Sequence, residues 1–191
     1  MKNKVMLATL ITLLVVGVGF YLFALAVMPE SETELESETD VTKVEETDNM
    51  KQMVNDYSVG TLVAHNASIT SHELIVTETE DAETQLVYAL PDDEFFVSIA
   101  PYIENTHPCA IHSLTGCQGE LVTEDFHVHI EDTDGNVILS DDIQSLPNGF
   151  IDLWVPRERH FIITISHDGK TAEGEFSSFE GDNTCITTIQ L

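Results

Sequence analysis

The sequence predicts an α+β protein: a small N-terminal α+β unit followed by an antiparallel β-sandwich. Three observations carry that expectation. A single stretch of helical spacing, Met50, Met53, Val54 and Tyr57, stands near the start of the foldable part. Period-two alternation then dominates, most cleanly in DFHVHIE (125–131) and HFIITISH (160–167). Turn signals such as Asp134-Gly135-Asn136, Asn148-Gly149 and Asp168-Gly169 separate the alternating runs at the spacing of a sandwich.

Residues 1–28 read as a targeting segment. Lys2 and Lys4 precede an uncharged apolar run from Val5 to Val27, the pattern of a secretory signal. The run is also long enough to span a bilayer. Ala24-Leu25-Ala26 offers a small-x-small cleavage site, so a cleaved signal and a retained anchor both stay open. The nearest cysteine is far away, which excludes a lipoprotein anchor. Lysines before the run and acidic residues after it direct the rest of the chain out of the cytoplasm, to the periplasm or cell surface. Disulfides can form there.

Residues 29–47 read as an acidic disordered tether. Glu30 to Met50 holds nine acidic residues and one lysine, without a hydrophobic period. Over 48–105 the expected elements are a helix from Asp48 to Tyr57, a hairpin of Glu73–Thr79 and Thr84–Leu90 around an acidic turn at Glu80–Glu83, and a strand at Glu94–Ala100. So small a unit buries little apolar surface alone. It needs the rest of the chain, or a second copy, to pack against. Residues 106–191 carry the sandwich: Asp125–Glu131, Val137–Leu139, Phe150–Val155 with Trp154 as a core residue, His160–His167 and Thr171–Phe179.

The 191 residues include 34 acidic and 7 basic ones, a formal charge of −27. Such a surface repels nucleic acid and anionic lipid, so the membrane is met only through the N-terminal segment. Acidity alone specifies no metal. Asp132-Thr133-Asp134-Gly135 resembles a calcium loop, but position 141 is Asp where the closing glutamate belongs, and the segment reads as a hairpin.

The chemistry concentrates in THPCAIHSLTGCQGEL (106–121). It holds Cys109 and Cys117 with His107 and His112, and the third cysteine is Cys185. Thiolates and imidazoles together suit a thiophilic ion, above all Cu(I) and secondarily Zn(II). The spacing is not CxxC, so neither a zinc knuckle nor a thioredoxin-type centre is indicated. Three cysteines leave one thiol unpaired in any internal pairing. Cys109–Cys185 is the favoured disulfide, tying the entry of the β-domain to its exit, and closing so long a loop is worth roughly 3–4 kcal/mol in the chain-entropy model. Cys117 is then the free thiol. His127 and His129 project from one face of a strand while Phe126, Val128 and Ile130 line the other. They suit either a chelating pair or a plain polar outer face. His65, His72, His160 and His167 read as surface residues.

Three long motifs carry a family resemblance: FFVSIAPYIENTHPCAIHSLTGCQGEL (95–121), NGFIDLWVPR (148–157) and DNTCITTIQL (182–191). Over about residues 50–191 the chain resembles CueP, a family of periplasmic copper-binding proteins associated with copper resistance. The resemblance implies a dimerising N-terminal α+β domain and a C-terminal β-domain with a Cys/His cluster. It implies binding of Cu(I), secondarily of zinc, and copper supply to an extracytoplasmic copper-zinc superoxide dismutase. Cys109, Cys117 and Cys185 match its cysteines, and His107 and His112 fall within its cysteine motif; His127 and His129 are not matched to it. Reduced thiols also make reduction of Cu(II) chemically available, which leaves open whether the protein is an enzyme. The rivals are a disulfide-stapled tethered β-sandwich without metal, a thiol–disulfide oxidoreductase, and a zinc-binding protein without copper transfer.

Overall fold

Strand β4 (Glu94–Ile99) is the centre of the architecture, and its sequence explains why. EFFVSI is apolar on both alternating faces, and every residue from Phe95 to Ile99 is buried. A strand with that composition needs a layer on each side. The computed structural model describes residues 48–80 and 85–191 and supplies both layers. The expected targeting segment, the tether, and all of the acidic turn but Glu80 lie outside the described residues. Among the described residues, no helix is long and apolar enough to cross a membrane.

Helix α1 covers 48–58, close to the expected span, and is the one helix among the described residues. Eleven strands follow: β1 (Asn66–Ile69), β2 (Glu73–Thr77), β3 (Leu86–Ala89), β4, β5 (His112–Ser113), β6 (Asp125–Asp132), β7 (Val137–Gln144), β8 (Ile151–Pro156), β9 (His160–His167), β10 (Lys170–Ser177) and β11 (Cys185–Ile186). They form three sheets, in the orders β3-β2-β1-β5, β10-β9-β6-β7 and β11-β4-β8.

The two faces of β4 enter different cores. Phe95, Val97 and Ile99 meet Phe126, Val128 and Ile130 of β6 and Phe161, Ile163 and Ile165 of β9. This is the sandwich. Phe96, on the opposite face, joins Val54 of α1, Ala67 and Ile69 of β1, Leu74 and Val76 of β2, and Trp154 of β8. Trp154 meets the Phe96 ring edge-on at 5.3 Å, and the Lys51 ammonium lies 5.5 Å from its centre. The helical methionines Met50 and Met53 pack against this second core.

The structure departs from expectation in two respects. The sandwich is not wholly antiparallel, because the short β11 pairs parallel to β4. Strand pairing also crosses residue 105 in both directions: β4 pairs with β8, and β5 pairs with β1. The β11 and β8 pairings follow from β4, which requires a neighbour on each edge as well as a layer on each face.

The Asp132–Asn136 segment is a turn and not a calcium loop. The Asp132 carboxylate accepts from the backbone N–H groups of Asp134 and Asn136, from Asn136 Nδ2, and from Arg159 at 3.0 Å. These donors hold its carboxyl below the usual range, the asparagine foremost.

Truncating Phe96 to alanine opens a hole between α1 and β4. It is expected to cost about 3–5 kcal/mol in urea unfolding and to change the fluorescence of Trp154, the one tryptophan in the chain.

Candidate metal centre

Four segments converge at the edge of the β11-β4-β8 sheet. The loop after β4 brings His107 and Cys109, β5 brings His112, the loop after β5 brings Cys117, and β11 brings Cys185. Local hydrogen bonds set each one. The Ala110 carbonyl accepts from the N–H groups of Thr184 and Cys185, which lays the first loop on β11. Thr106 Oγ1 donates to the Thr187 carbonyl, and Thr187 Oγ1 donates back to that of His107. Cys117 N–H closes a turn on Ser113 O at 2.9 Å, and Ser113 N–H donates to the Cys117 sulfur at 3.4 Å. Gly119 lies against Gly149 so closely that a Cβ on Gly119 would sit 2.4 Å from the Gly149 carbonyl oxygen. Only glycine permits that crossing, which seats the Cys117 loop beside Phe150.

The ligand atoms form two groups of three, each with its members within 4.8 Å of one another. His107, Cys109 and Cys117 make a half-exposed set. His112, Cys117 and Cys185 make a deeper set, in which His112 and Cys185 are buried. Cys117 belongs to both. Phe150 lies near both histidines, its ring centre 4.5 Å from that of His112 and 6.4 Å from that of His107.

All three cysteines are free. The expected Cys109–Cys185 disulfide is not at bonding distance. The Ala110 carbonyl and the Thr187 hydroxyl hold those chain segments together instead. The Cys109 and Cys117 sulfurs are 3.6 Å apart, a noncovalent contact.

Charge within the cluster is uneven. A hydrogen bond from Cys185, and after it the Ser113 N–H, pull the Cys117 thiol well below its ordinary value, against the opposing effect of burial. Donating to Cys117 and being buried push Cys185 far up. Burial raises Cys109. The site therefore holds one ready thiolate, the form that binds metal. His112 contributes a further sign of a ligand site. Its Nδ1 is buried with no hydrogen-bond partner, which is rare for a native polar atom and is relieved by a bound ion.

His127 and His129 are not brought to this cluster. They lie on the outer face of β6, as the alternation predicts. There His127 Nδ1 is 2.8 Å from Asp142, and His129 Nε2 is 3.7 Å from Glu131. His65, His72 and His160 are exposed and His167 half-exposed. A group that motif reading passes over is Ser98, hidden inside the apolar β4, whose Oγ lies 3.3 Å from His112 Nε2.

The model of the family of periplasmic copper-binding protein CueP matches residues 40–190. The chain belongs to the CueP family. The crystal structure of S.CueP superposes on it with a TM-score of 0.70 at 35% identity, covering 83% of this chain and 99% of that one. No curated protein matches the chain. Membership places it among extracytoplasmic, copper-binding proteins, and its two Cys/His groups could hold a metal ion.

Two predictions follow from the electrostatics. In reduced, metal-free protein, alkylation of Cys117 by iodoacetamide should be flat from about pH 5 to 8, because its thiolate is already formed. Cys109 should react faster as pH rises. Equal pH dependence at both would refute the assignment. Separately, the Glu120 carboxylate accepts from the N–H groups of Ile103, Glu104 and Asn105, which pull it down to about 2 from 4.5. Its hold on the loop leading to His107 is complete above the ordinary glutamate range and lost as pH falls through about 2. Glu120→Gln should speed amide exchange at 103–107 at neutral pH while leaving β6 and β9 protected.

Proposed function

We propose that this protein handles Cu(I) outside the cytoplasm, contributing to copper tolerance by binding the ion and passing it on. The observation that carries the reading is the sharing of Cys117 between a half-exposed and a buried set of soft ligands. Cu(I) accepts few, soft ligands, whereas structural zinc takes four in a tetrahedron. Ligand atoms that cluster in threes favour Cu(I) over zinc. Copper would enter at His107, Cys109 and Cys117, where a donor protein or chelator can reach, and would settle at His112, Cys117 and Cys185. Cys117 stays bound throughout, so the ion moves by exchange of ligands and is never released. Delivery runs the same path outward, and a copper-zinc superoxide dismutase is the acceptor the family resemblance suggests.

The same thiols can reduce Cu(II). Two cysteine thiols and two Cu(II) ions give one disulfide, two Cu(I) ions and two protons. The closeness of Cys109 and Cys117 favours them as the pair. The disulfide removes two of the three sulfurs, so reduction stops after one round unless another thiol restores them.

Dimerisation belongs to the N-terminal part of the chain in this reading. Strand β3, at a sheet edge, supports it with Leu86 41% and Val87 54% exposed.

Competition for Cu(I) with a chromophoric chelator tests the proposal. The reduced protein should retain one Cu(I), Cys117→Ser should lose most of the affinity, and Cys185→Ser should keep a weaker, more exchangeable ion on the outer set. If parent and variants bind Cu(I) equally, or zinc displaces it, the reading is wrong.

A further inference from the structure

A hydroxyl and a carboxylate occupy the same sheet rung as the deepest cysteine. In the β11-β4-β8 sheet, Ser98 pairs with Cys185 on one side and with Asp152 on the other. The three side chains therefore stand in a row on one face. Ser98 is fully buried. Its Oγ donates to Asp152 Oδ1 at 2.5 Å and lies 3.3 Å from His112 Nε2. The second oxygen of Asp152 accepts from Ser58 Oγ of α1 at 2.6 Å.

A hydroxyl has one proton. Two serines donating to the two oxygens of one carboxyl is the pattern of an ionised carboxylate, which only accepts. With its proton committed to Asp152, Ser98 can only accept from His112, so the imidazole proton must sit on Nε2. That leaves Nδ1 as a bare lone pair. It is also the buried nitrogen without a partner. The backbone fixes the ring from behind, since His112 N–H donates to Thr184 Oγ1 at 3.1 Å, and that hydroxyl donates to the Ile69 carbonyl at 2.6 Å.

We propose that Asp152 and Ser98 are positioning residues for the candidate metal centre, locking His112 in the Nε2–H tautomer and leaving Nδ1 free to serve as the imidazole ligand of the set it forms with Cys117 and Cys185. The proposal rests on the Cu(I) reading above for its metal, but the lock itself is a property of the metal-free protein. Ser58 steadies the far oxygen of Asp152, so α1 supports the lock without being part of it. Replacing Asp152 by asparagine puts an amide NH2 where a carboxylate oxygen stood. If that NH2 faces Ser98, the hydroxyl becomes an acceptor from the amide, and its proton turns to His112 Nε2. The ring proton must then move to Nδ1, the nitrogen the metal needs.

Long-range 1H–15N correlation spectra of the reduced, copper-free protein read the tautomer directly. The parent and Ser58→Ala should show Nε2–H at His112. Ser98→Ala and Asp152→Asn should shift population to Nδ1–H, and Ser98→Thr should restore the parent pattern. In chelator competition, Ser98→Ala and Asp152→Asn should lose about tenfold to a hundredfold in Cu(I) affinity, the usual effect of removing an outer-shell partner. Nδ1–H in the parent, or an unchanged tautomer in Ser98→Ala, overturns the lock. A shifted tautomer with unchanged Cu(I) affinity overturns its role at the metal. If the parent holds no Cu(I) but shows the expected tautomers, the copper reading fails and the metal half of the proposal falls with it, while the lock stands.

Discussion

Burial of β4 on both faces and both edges is the constraint on which the rest depends. An edge strand or a one-sided strand can exchange its neighbours for water, but a strand buried all round cannot leave a backbone group unpaired. β8 takes one edge and β11 the other, although β11 comes from the far end of the chain and is only two residues long. The candidate metal centre is a by-product of that closure. To cap the free edge of β4 the chain must bring Cys185 beside Ser98, and the loop leaving β4 must pass over the same spot on its way to β5. Cysteines distant in sequence are thereby placed at one point by backbone pairing.

The chemistry of the centre contrasts with the surface around it. A protein with a formal charge of −27 has carboxylates in excess, yet neither ligand group among the described residues contains one. The sulfurs lie against Ala100 and Phe150. Carboxylates would draw hard ions such as calcium or magnesium, and their exclusion leaves a soft, partly dry site. The acidic surface can gather cations loosely, whereas the inner groups offer only sulfur and imidazole. Within the centre, the single thiolate on Cys117 is stabilised by neighbouring protons and by a backbone N–H, so no fixed positive charge stands in the way of an incoming cation.

Much of the fold was legible from local pattern. The alternation of β6 and β9, the helical spacing of α1 and the glycine turns each have a short-range cause, and each recurs in the structure near its expected place. The short strands were not legible. NASI, HS and CI carry too few residues to show a period, and they are strands only because β2, β1 and β4 offer them partners. The cysteines and the two loop histidines announce themselves by type and proximity. The separation of the outer from the inner ligands does not, since it depends on how the loop after β4 and strand β5 place each imidazole. His127 and His129 show the converse: their shared face follows from period two, but spacing along a strand says nothing about which sheet face looks toward the cysteines. Ser98 was hidden for a different reason. A serine in an apolar strand resembles a neutral filler until its cross-strand partner is known to be an aspartate.

The order in which the chain leaves the cytoplasm gives the position of Cys185 a further meaning. A protein exported from its N-terminus presents His107, Cys109, His112 and Cys117 first, while β4 still lacks both of its neighbours, β8 and β11. During that interval the outer set is complete while the inner set still lacks Cys185, and the two loop sulfurs are open to whatever oxidant or metal is present. Arrival of β11 closes the sheet and completes the buried set in one event. The inner ligand set is thus a property of the finished molecule, and a chain arrested before β11 would present only the outer one.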